Sequence, residues 1–408
     1  MDVWDELVGQ KEAIAVFRAA AESGLTANGG NGSVGNAQLG FDAVGKAASM
    51  NDAAMTHSWL VTGPPGSGRS NLAYAFASAL LCRNGGCKEC ADCKQVAART
   101  HPDLATLTTE AVIIKIEDVR ELVRGSQYSP AVSRYRVIVI EDADRMAERT
   151  SNVLLKALEE PPERTVWILC APSEADLIPT IRSRVRSVRL RVPSIPDVAE
   201  LIMARDGVSN EVAERAARHA QSHIGMAHRL ATNPEAHSRR DETLRLALGL
   251  SGVRDAVLAA ARMIEIATDD AKALTDERDS AELESTRRSM GVAEGDAVPA
   301  QLRSHIKNLE DHQKRRATRS LRDGLDRILV DLLSLYRDIL RLQLGVDTSL
   351  INVELEDGLR AAATARTAAD TLATMEAIGV ARTRIDSNVS PVLAIEALMI
   401  RAARRDAA

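Results

Sequence analysis

The sequence is poor in aromatic residues, because Phe, Trp and Tyr together make up only 2% of its 408 residues. Aliphatic side chains must therefore fill most of the buried volume, which favours helical domains over β-sandwiches and propellers. The same scarcity argues against a platform of stacked rings for single-stranded nucleic acid. Apolar residues still reach 45%, so sizeable cores can form. A chain of this length predicts about two to four domains.

Strong charge of one sign and long apolar runs are also missing. The 52 Lys and Arg residues are outnumbered by 57 Asp and Glu, which gives a net charge of −5. This mild acidity excludes wrapping of DNA by bulk positive charge and leaves only local basic patches. No apolar run reaches the roughly 18 residues of a membrane span, and the first residues lack a signal-peptide core. We therefore expect a soluble cytoplasmic protein.

The cysteines are few but concentrated, since four of the five are Cys82, Cys87, Cys90 and Cys93. In a reducing cytosol this C-x4-C-x2-C-x2-C spacing favours metal binding over disulfides. Four thiolates complete a tetrahedron around Zn²⁺ and leave no open position, so the spacing predicts a structural zinc site. The alternative is a set of unligated or redox-active thiols. Cys170 lies in an apolar run and is predicted to be a buried strand residue.

A glycine-rich loop at residues 63–70 follows a predicted strand and precedes a predicted helix. This context is typical of a phosphate-binding P-loop, in which glycines let backbone N–H groups turn toward phosphate. The candidate nucleotide-binding residues are Gly63, Gly66, Gly68, Arg69 and Ser70. Arg69 stands where the P-loop pattern has lysine, and the two side chains are not interchangeable. The loop therefore predicts the fold, while its competence for ATP hydrolysis is in doubt.

Two acids follow a second β-branched run at residues 137–140. Glu141 and Asp142 match the Walker B position, at which one acid helps to hold Mg²⁺ and the next positions the attacking water. The usual order is Asp then Glu, and here it is reversed. The alternative is a merely solvated acidic turn at a strand end. Strands and helices alternate through residues 57–192, which predicts an α/β fold with a parallel sheet flanked by helices.

Six blocks of sequence resemble one known family. They are the run Leu7-Val8-Gly9-Gln10, the P-loop, the four-cysteine insertion, residues 152–162 ending in Glu159-Glu160-Pro161-Pro162, residues 179–184, and Asn388-Val389-Ser390-Pro391. These blocks are similar to bacterial clamp-loader subunits of the AAA+ superfamily. More closely, they resemble the delta-prime family of DNA polymerase III in its actinobacterial form. The resemblance covers nearly the whole chain.

The resemblance implies how the domains are arranged. Residues 1–192 would form a P-loop AAA+ domain with a glycine-rich insertion at 24–55 and a zinc module at 82–93. Residues 193–245 would form a helical lid, and residues 246–408 a helical collar for oligomerisation. The sequence itself shows a charged segment at 275–318 and, at its end, the basic cluster Lys314, Arg315 and Arg316 with Arg319, which is a solvated helix face or, alternatively, a phosphate contact.

The resemblance also implies a role for Arg184. Clamp-loader subunits form a five-subunit ring segment with ATP at the interfaces, and the arginine of a Ser-Arg motif acts in trans on a neighbour's phosphates. Arg184, which follows Ser183, would be this finger; the alternative is a structural arginine at a strand entrance. The arginines between residues 182 and 191 fit outward strand positions, with direct DNA contact as the lesser alternative.

A subunit that does not hydrolyse ATP itself is the resulting expectation. Arg69, the reversed acids and Gly225, which aligns with the family's second sensor arginine, alter three catalytic features. Any ATP binding is therefore expected to be weak or absent. The chain would assemble with delta and tau/gamma subunits in a hetero-pentamer and load the sliding clamp on primed DNA. No polymerase chemistry is visible. The alternatives are an active ATPase motor subunit of the same loader and an unrelated P-loop protein with a zinc site.

Overall fold

The computed structural model describes residues 2–26, 55–109, 113–289 and 303–404, apart from the single positions 6, 348 and 388. These residues divide into two compact units, Met1–His228 and Arg229–Ala408. Most of the predicted insertion at 24–55 and the centre of the charged segment 275–318 lie outside the described residues. The predicted domain boundaries at 192/193 and 245/246 stay predictions.

A five-stranded parallel sheet organises the first unit. Its strands are β1 (Ser58–Thr62), β2 (Leu104–Leu107), β3 (Arg136–Ile140), β4 (Thr165–Ala171) and β5 (Arg186–Arg189). The order across the sheet is β2-β3-β4-β1-β5, and every neighbouring pair is parallel. The predicted parallel α/β sheet is thereby confirmed. Because all strands run the same way, the segments that follow β1 and β3 emerge at one edge.

Helices surround this sheet and continue beyond it in the sequence. They are α1 (Lys11–Thr26), α2 (Arg69–Leu81), α3 (Ala91–Ala97), α4 (Ile116–Ser126), α5 (Glu148–Glu159), α6 (Pro179–Arg182), α7 (Ile195–Asp206), α8 (Asn210–His219) and α9 (Ile224–Thr232). Proline at the start of α6 and α7 suits the first helical turn, where its missing N–H costs nothing.

Alternate residues of the central strand β1 face two separate cores. Trp59 and Val61 belong to one core, whereas Leu60 belongs to the other on the opposite face of the sheet. The ring of Trp59 lies against Phe17 and Phe76, with centroid distances of 4.8 and 5.5 Å. All three rings are fully buried. Three of the ten aromatic residues of the sequence are thus packed together in one core.

The second unit is helical in the residues that the structure describes. Its helices are α10 (Pro234–Leu248), α11 (Val253–Ser289), α12 (Arg303–Leu344), α13 (Glu356–Ala365), α14 (Ala368–Asp386) and α15 (Pro391–Ala403). Apolar residues recur at helical spacing on α12 and are buried in one core: Leu325, Ile328, Leu332, Leu335 and Ile339. Within the described ranges, no helix is both long and apolar enough to cross a membrane.

The basic cluster on α12 is split by packing. Arg316 is only 9% exposed and pairs with Asp279 at 2.6 Å and with Glu282 at 3.0 Å, both on α11. Lys314 and Arg315 are exposed. Arg316 therefore forms ion pairs that link two helices of the same unit. For this residue, both predicted roles, a solvated helix face and a phosphate contact, are wrong.

A buried carboxylate fixes the loop that precedes β3. Asp103 accepts hydrogen bonds from the backbone N–H groups of Ala131, Val132 and Ser133 at 2.6, 2.8 and 2.8 Å. Its side chain is fully buried, and Arg136 lies 3.7 Å away. Although burial opposes ionisation, these three hydrogen bonds and the Arg136 charge together hold the pKa of Asp103 below its usual value.

We expect Asp103→Asn to lower the free energy of unfolding by about 2 kcal/mol at neutral pH, because an amide nitrogen would face buried donors. Since the pKa of Asp103 is depressed, its stabilisation is complete above the unfolded value, near pH 4, and is lost as the pH falls further. Urea unfolding should therefore show the gap between the two proteins narrowing below about pH 4. The exposed Asp118→Asn is the control; a constant gap across this pH range would contradict the account.

Candidate functional site

The four clustered cysteines converge in space. Their sulfur atoms all lie within 4.8 Å of one another. The Sγ of Cys82 lies 3.8 Å from that of Cys87 and 3.6 Å from that of Cys90. Four thiolates at about 2.3 Å from a central zinc ion would be separated by about 3.8 Å, so the cluster fits this metal. These four cysteines are the residues that would hold it.

Local backbone structure builds the cysteine cluster. Cys82 ends α2, and Cys90 caps the start of α3, where its sulfur accepts the N–H of Cys93 at 3.4 Å. Gly85 and Gly86, both with positive φ, make the tight turn between Cys82 and Cys87. Helix α2 begins at the P-loop and spans 13 residues, about 20 Å, so the metal would lie far from any nucleotide. This distance agrees with a structural role.

The cysteine thiols differ in their ionisation. Hydrogen bonds from the backbone N–H groups of Cys90 and Glu89 lower the pKa of Cys87 to about 6. Burial raises the pKa of Cys90 and of Cys93 above the usual value. Cys170, in contrast, is a fully buried residue of β4 and belongs to the hydrophobic core, as predicted.

The P-loop has the predicted context, since it follows β1 and leads into α2. Gly66 and Gly68 have φ values of 79° and 92°, which only glycine adopts readily. Arg69 is the first residue of α2, and its Nη1 donates a hydrogen bond back to the carbonyl oxygen of Gly63. In this arrangement the Arg69 side chain is hydrogen-bonded to the backbone of its own P-loop. Gly63, Gly66, Gly68, Arg69 and Ser70 are thus brought together as one loop.

A segment from the start of α9 covers the P-loop. The backbone N–H of Ile224 donates to the carbonyl oxygen of Gly66 at 3.2 Å. The His223 ring is so close that a Cβ placed on Gly66 would lie 2.2 Å from its Cγ. The ring is held in turn by a hydrogen bond from the N–H of Met226 to its Nδ1, at 3.2 Å. Gly225, the predicted sensor position, is therefore close to the P-loop but has no side chain to offer.

Glu141 lies at the end of β3 and is enclosed by hydrogen bonds. Tyr74 and Thr108 donate to its Oε1 at 2.7 and 2.8 Å, and a guanidinium nitrogen of Arg99 lies 3.1 Å from the same oxygen. Burial opposes its ionisation, but hydrogen bonds from Tyr74, Ser70 and Thr108 and the Arg99 charge keep its pKa below the usual value. Glu141 is thus an ionised carboxylate whose negative charge is balanced by the guanidinium of Arg99.

Arg99 reaches Glu141 from an unusual backbone conformation. Its φ of 59° lies in the left-handed region, which costs a residue with a side chain about 1 kcal/mol or more. Its guanidinium also lies over the ring of Tyr74, 4.8 Å from the centroid. The second predicted acid, Asp142, follows Glu141 and immediately precedes a short 3₁₀ turn at Ala143–Arg145.

Arg184 follows α6 and is held by its own chain. Its Nε donates to Oε1 of Glu159 at 2.6 Å, and its Nη2 lies 2.5 Å from the same oxygen. Its Nη1 donates to the carbonyl oxygen of Thr180 at 2.8 Å and to Oγ of Ser183 at 2.9 Å. The side chain is 34% exposed, so it is engaged but reachable from solvent.

Several contributors to this region were not predicted from the sequence, among them Tyr74, Arg99, Thr108, Glu159 and His223. Tyr74 lies on α2 one turn beyond Ser70, so helical spacing could have placed it beside the acid. Arg99 and His223 come from segments far away in the sequence, and no local pattern marks them. Glu159 was noted only as part of a sequence block.

Comparison with known proteins finds similarity to one family over part of the chain. Residues 46–194 match the family model described as DNA polymerase III, delta subunit. The delta-prime subunit of DNA polymerase III from Pseudomonas aeruginosa is 38% identical over 134 residues, which covers 31% of this chain and 41% of that protein. The tau/gamma subunit from Haemophilus influenzae is 34% identical over 149 residues, covering 36% of this chain and 22% of that protein.

Residues 46–194, which include the P-loop, thus match a DNA polymerase III family model, and both of these relatives are DNA polymerase III subunits. The chain spans well under half the length of each of these curated relatives. Because delta-prime and tau/gamma subunits both match part of this chain, the type of subunit is a matter for proposal. A solved structure of a gamma subunit-related protein from Thermotoga maritima overlaps 85% of this chain and 95% of its own, at 17% identity and a TM-score of 0.38.

For the cysteine cluster, we expect elemental analysis of a fully reduced preparation to find about one Zn²⁺ per chain. Cys93→Ser should lower this content several-fold and lower the thermal midpoint, because a structural zinc site contributes directly to folding. Cys170→Ala is the matched control and should keep its zinc, since Cys170 lies in β4 outside the cluster. Absence of zinc from the reduced wild-type chain would reject the site.

Proposed function

We propose that this chain is a delta-prime-type subunit of a bacterial clamp loader. It assembles with delta and tau/gamma subunits into a hetero-pentamer that loads the sliding clamp on primed DNA. It does not hydrolyse ATP itself, and it donates Arg184 to the nucleotide site of a neighbour. The clamp-loader domain and the named delta-prime and tau/gamma relatives support the assembly. A cytoplasmic location is part of the same proposal.

The covered P-loop is the single observation that carries the non-hydrolysing role. Phosphate binding by a P-loop requires access to backbone N–H groups around its glycines. The His223 ring stands against Gly66, and Ile224 is hydrogen-bonded to the Gly66 carbonyl. A nucleotide could bind here only if this segment moved away. Weak or absent ATP binding is therefore the expected behaviour of the isolated chain.

The state of Glu141 supports the same conclusion. A divalent cation that bound this carboxylate would have to compete with Arg99 at 3.1 Å and with two hydroxyl donors. The guanidinium supplies positive charge where an active ATPase of this class uses Mg²⁺. The site is therefore already neutralised without metal or nucleotide.

An active ATPase motor subunit remains the second candidate, and one observation favours it. The P-loop, Ser70 and the acids after β3 lie together, with the Ser70 hydroxyl hydrogen-bonded to Glu141. This is the pair of groups that holds Mg²⁺ in active P-loop enzymes. Displacement of His223 by a partner or by nucleotide would be needed before the pair could act.

Exposed apolar side chains on the helical unit support a role in assembly. On α14 and α15 these include Leu372 at 49%, Val380 at 47%, Val392 at 43% and Leu393 at 61% exposure. Exposed side chains of this kind are available for contacts with other proteins. We therefore retain residues 246–408 as the proposed collar, residues 193–245 as the proposed lid and residues 1–192 as the proposed AAA+ domain.

We expect the purified chain to show no ATP hydrolysis above background in a coupled assay, with or without DNA. His223→Ala should bind a fluorescent ATP analogue about tenfold more tightly than wild type, because the ring no longer covers Gly66. His228→Ala is the control, since that side chain pairs with Asp206 instead. A wild-type hydrolysis rate that Arg69→Ala abolishes would establish the motor candidate and reject the proposed role.

In a reconstituted loader, Arg184→Ala should slow hydrolysis at the interface that Arg184 serves by about 10³-fold or more, which is the size of an arginine-finger effect. The total ATPase rate of the loader should fall by the fraction that this one interface contributes. The pentamer should still form, as measured by analytical ultracentrifugation. Arg182→Ala, two residues earlier and exposed, should leave the rate unchanged. An unaltered ATPase in the Arg184→Ala loader would show that the finger assignment is wrong.

A further inference from the structure

The ion pair between Arg184 and Glu159 joins two segments that are separate in the sequence, residues 152–162 and 179–184. Glu159 is the last residue of α5, and Arg184 follows α6. One carboxylate oxygen of Glu159 contacts both Nε and Nη2 of Arg184, at 2.6 and 2.5 Å. These two nitrogens form the edge of a guanidinium group that commonly binds carboxylates and phosphates. The carboxylate therefore fills the place on Arg184 that an incoming phosphate oxygen would take.

The remaining guanidinium nitrogen, Nη1, is also engaged. It donates to the carbonyl of Thr180 and to the hydroxyl of Ser183, both beside Arg184 in the chain. These local contacts would keep the arginine at the surface after its other edge was released. The arrangement thus separates two roles: Thr180 and Ser183 hold the guanidinium in place, and Glu159 occupies the edge that would bind an anion.

The position of Glu159 runs against helix electrostatics. The C-terminus of a helix carries partial negative charge, so acids in its last turn are unfavourable there. Glu159 ends α5, and Glu160 forms its C-cap. A residue that is unfavourable for its own helix is often kept for a functional reason. For Glu159, the contact with Arg184 supplies such a reason.

The pair is also exposed enough to be exchanged. Arg184 and Glu159 retain 34% and 46% of their side-chain exposure. Ion pairs of this kind are weak and are screened by salt. A triphosphate carries several negative charges, whereas Glu159 carries one, so it would attract the guanidinium more strongly at the same distance.

We propose that Glu159 is a competing counter-ion that keeps the arginine finger bound to its own subunit until a neighbour presents nucleotide phosphate. This inference rests on the proposed trans role of Arg184 and adds a mechanism that regulates when Arg184 is available. Exchange of the Glu159 carboxylate for a phosphate would then be part of completing the neighbour's site. Removal of the Glu159 charge should release the finger earlier.

The test compares reconstituted loaders that carry Glu159→Gln, Arg184→Ala or both changes. Without clamp and DNA, Glu159→Gln should raise the ATPase kcat/KM about two- to fivefold, the range expected on breaking an exposed ion pair. The difference in kcat/KM between Glu159→Gln and wild type should shrink as the salt concentration is increased, because salt also weakens the ion pair between Arg184 and Glu159 in the wild type. In the Arg184→Ala background, Glu159→Gln should have no effect.

Glu160→Gln is the matched control, since Glu160 is the adjacent exposed acid. It should match wild type, and thermal melts should show that all variants fold. Glu159→Gln at the wild-type rate, or with the reduced rate of Arg184→Ala, would overturn the inference while the finger itself stood. No effect of Arg184→Ala alone would overturn the finger and the inference together. The two failures are therefore distinguishable.

Discussion

Parallel pairing of β4 between β1 and β3 is the constraint on which the candidate site depends. Residues 58–62 pair with 167–171, and residues 136–140 pair with 165–169. Because the three strands run the same way, the P-loop and Glu141 leave the sheet at the same edge although other strands and helices separate them in the sequence. A slip of one residue in either pairing would move every side chain of the strand to the wrong core. The two cores on either face of the sheet therefore fix the position of the site.

Groups of the protein itself contact the P-loop and the acid at the end of β3. Arg69 is bonded to Gly63, the His223 ring covers Gly66, and Arg99 neutralises Glu141. Each contact satisfies a polar or charged group that would otherwise be costly to bury. The result is a P-loop fold in which Arg69, the Gly66 carbonyl and Glu141 already have partners within the chain.

Local sequence pattern was enough to predict much of this arrangement. The β-branched runs, the glycine loop and the cysteine spacing each depend on a few adjacent residues, and the structure has all three where they were expected. Contacts that depend on the tertiary fold were not predictable. Arg99 and Glu141 meet only because two segments emerge at one edge, and His223 reaches Gly66 from α9. Arg316 was misjudged for the same reason, since its partners lie on α11.

Helix α2 joins the two chemically distinct loops of the first unit. It begins at Arg69 of the P-loop and ends at the residue before Cys82 of the cysteine cluster, with no break between them. Each residue of an α-helix turns the chain by about 100° and advances it by about 1.5 Å. Insertion or deletion of one residue in α2 would therefore rotate the first cysteine away from the other three while the P-loop stayed in place. The number of residues in this helix is thus fixed as firmly as the identity of the cysteines, and a change in length there would be harder to tolerate than most changes of side chain.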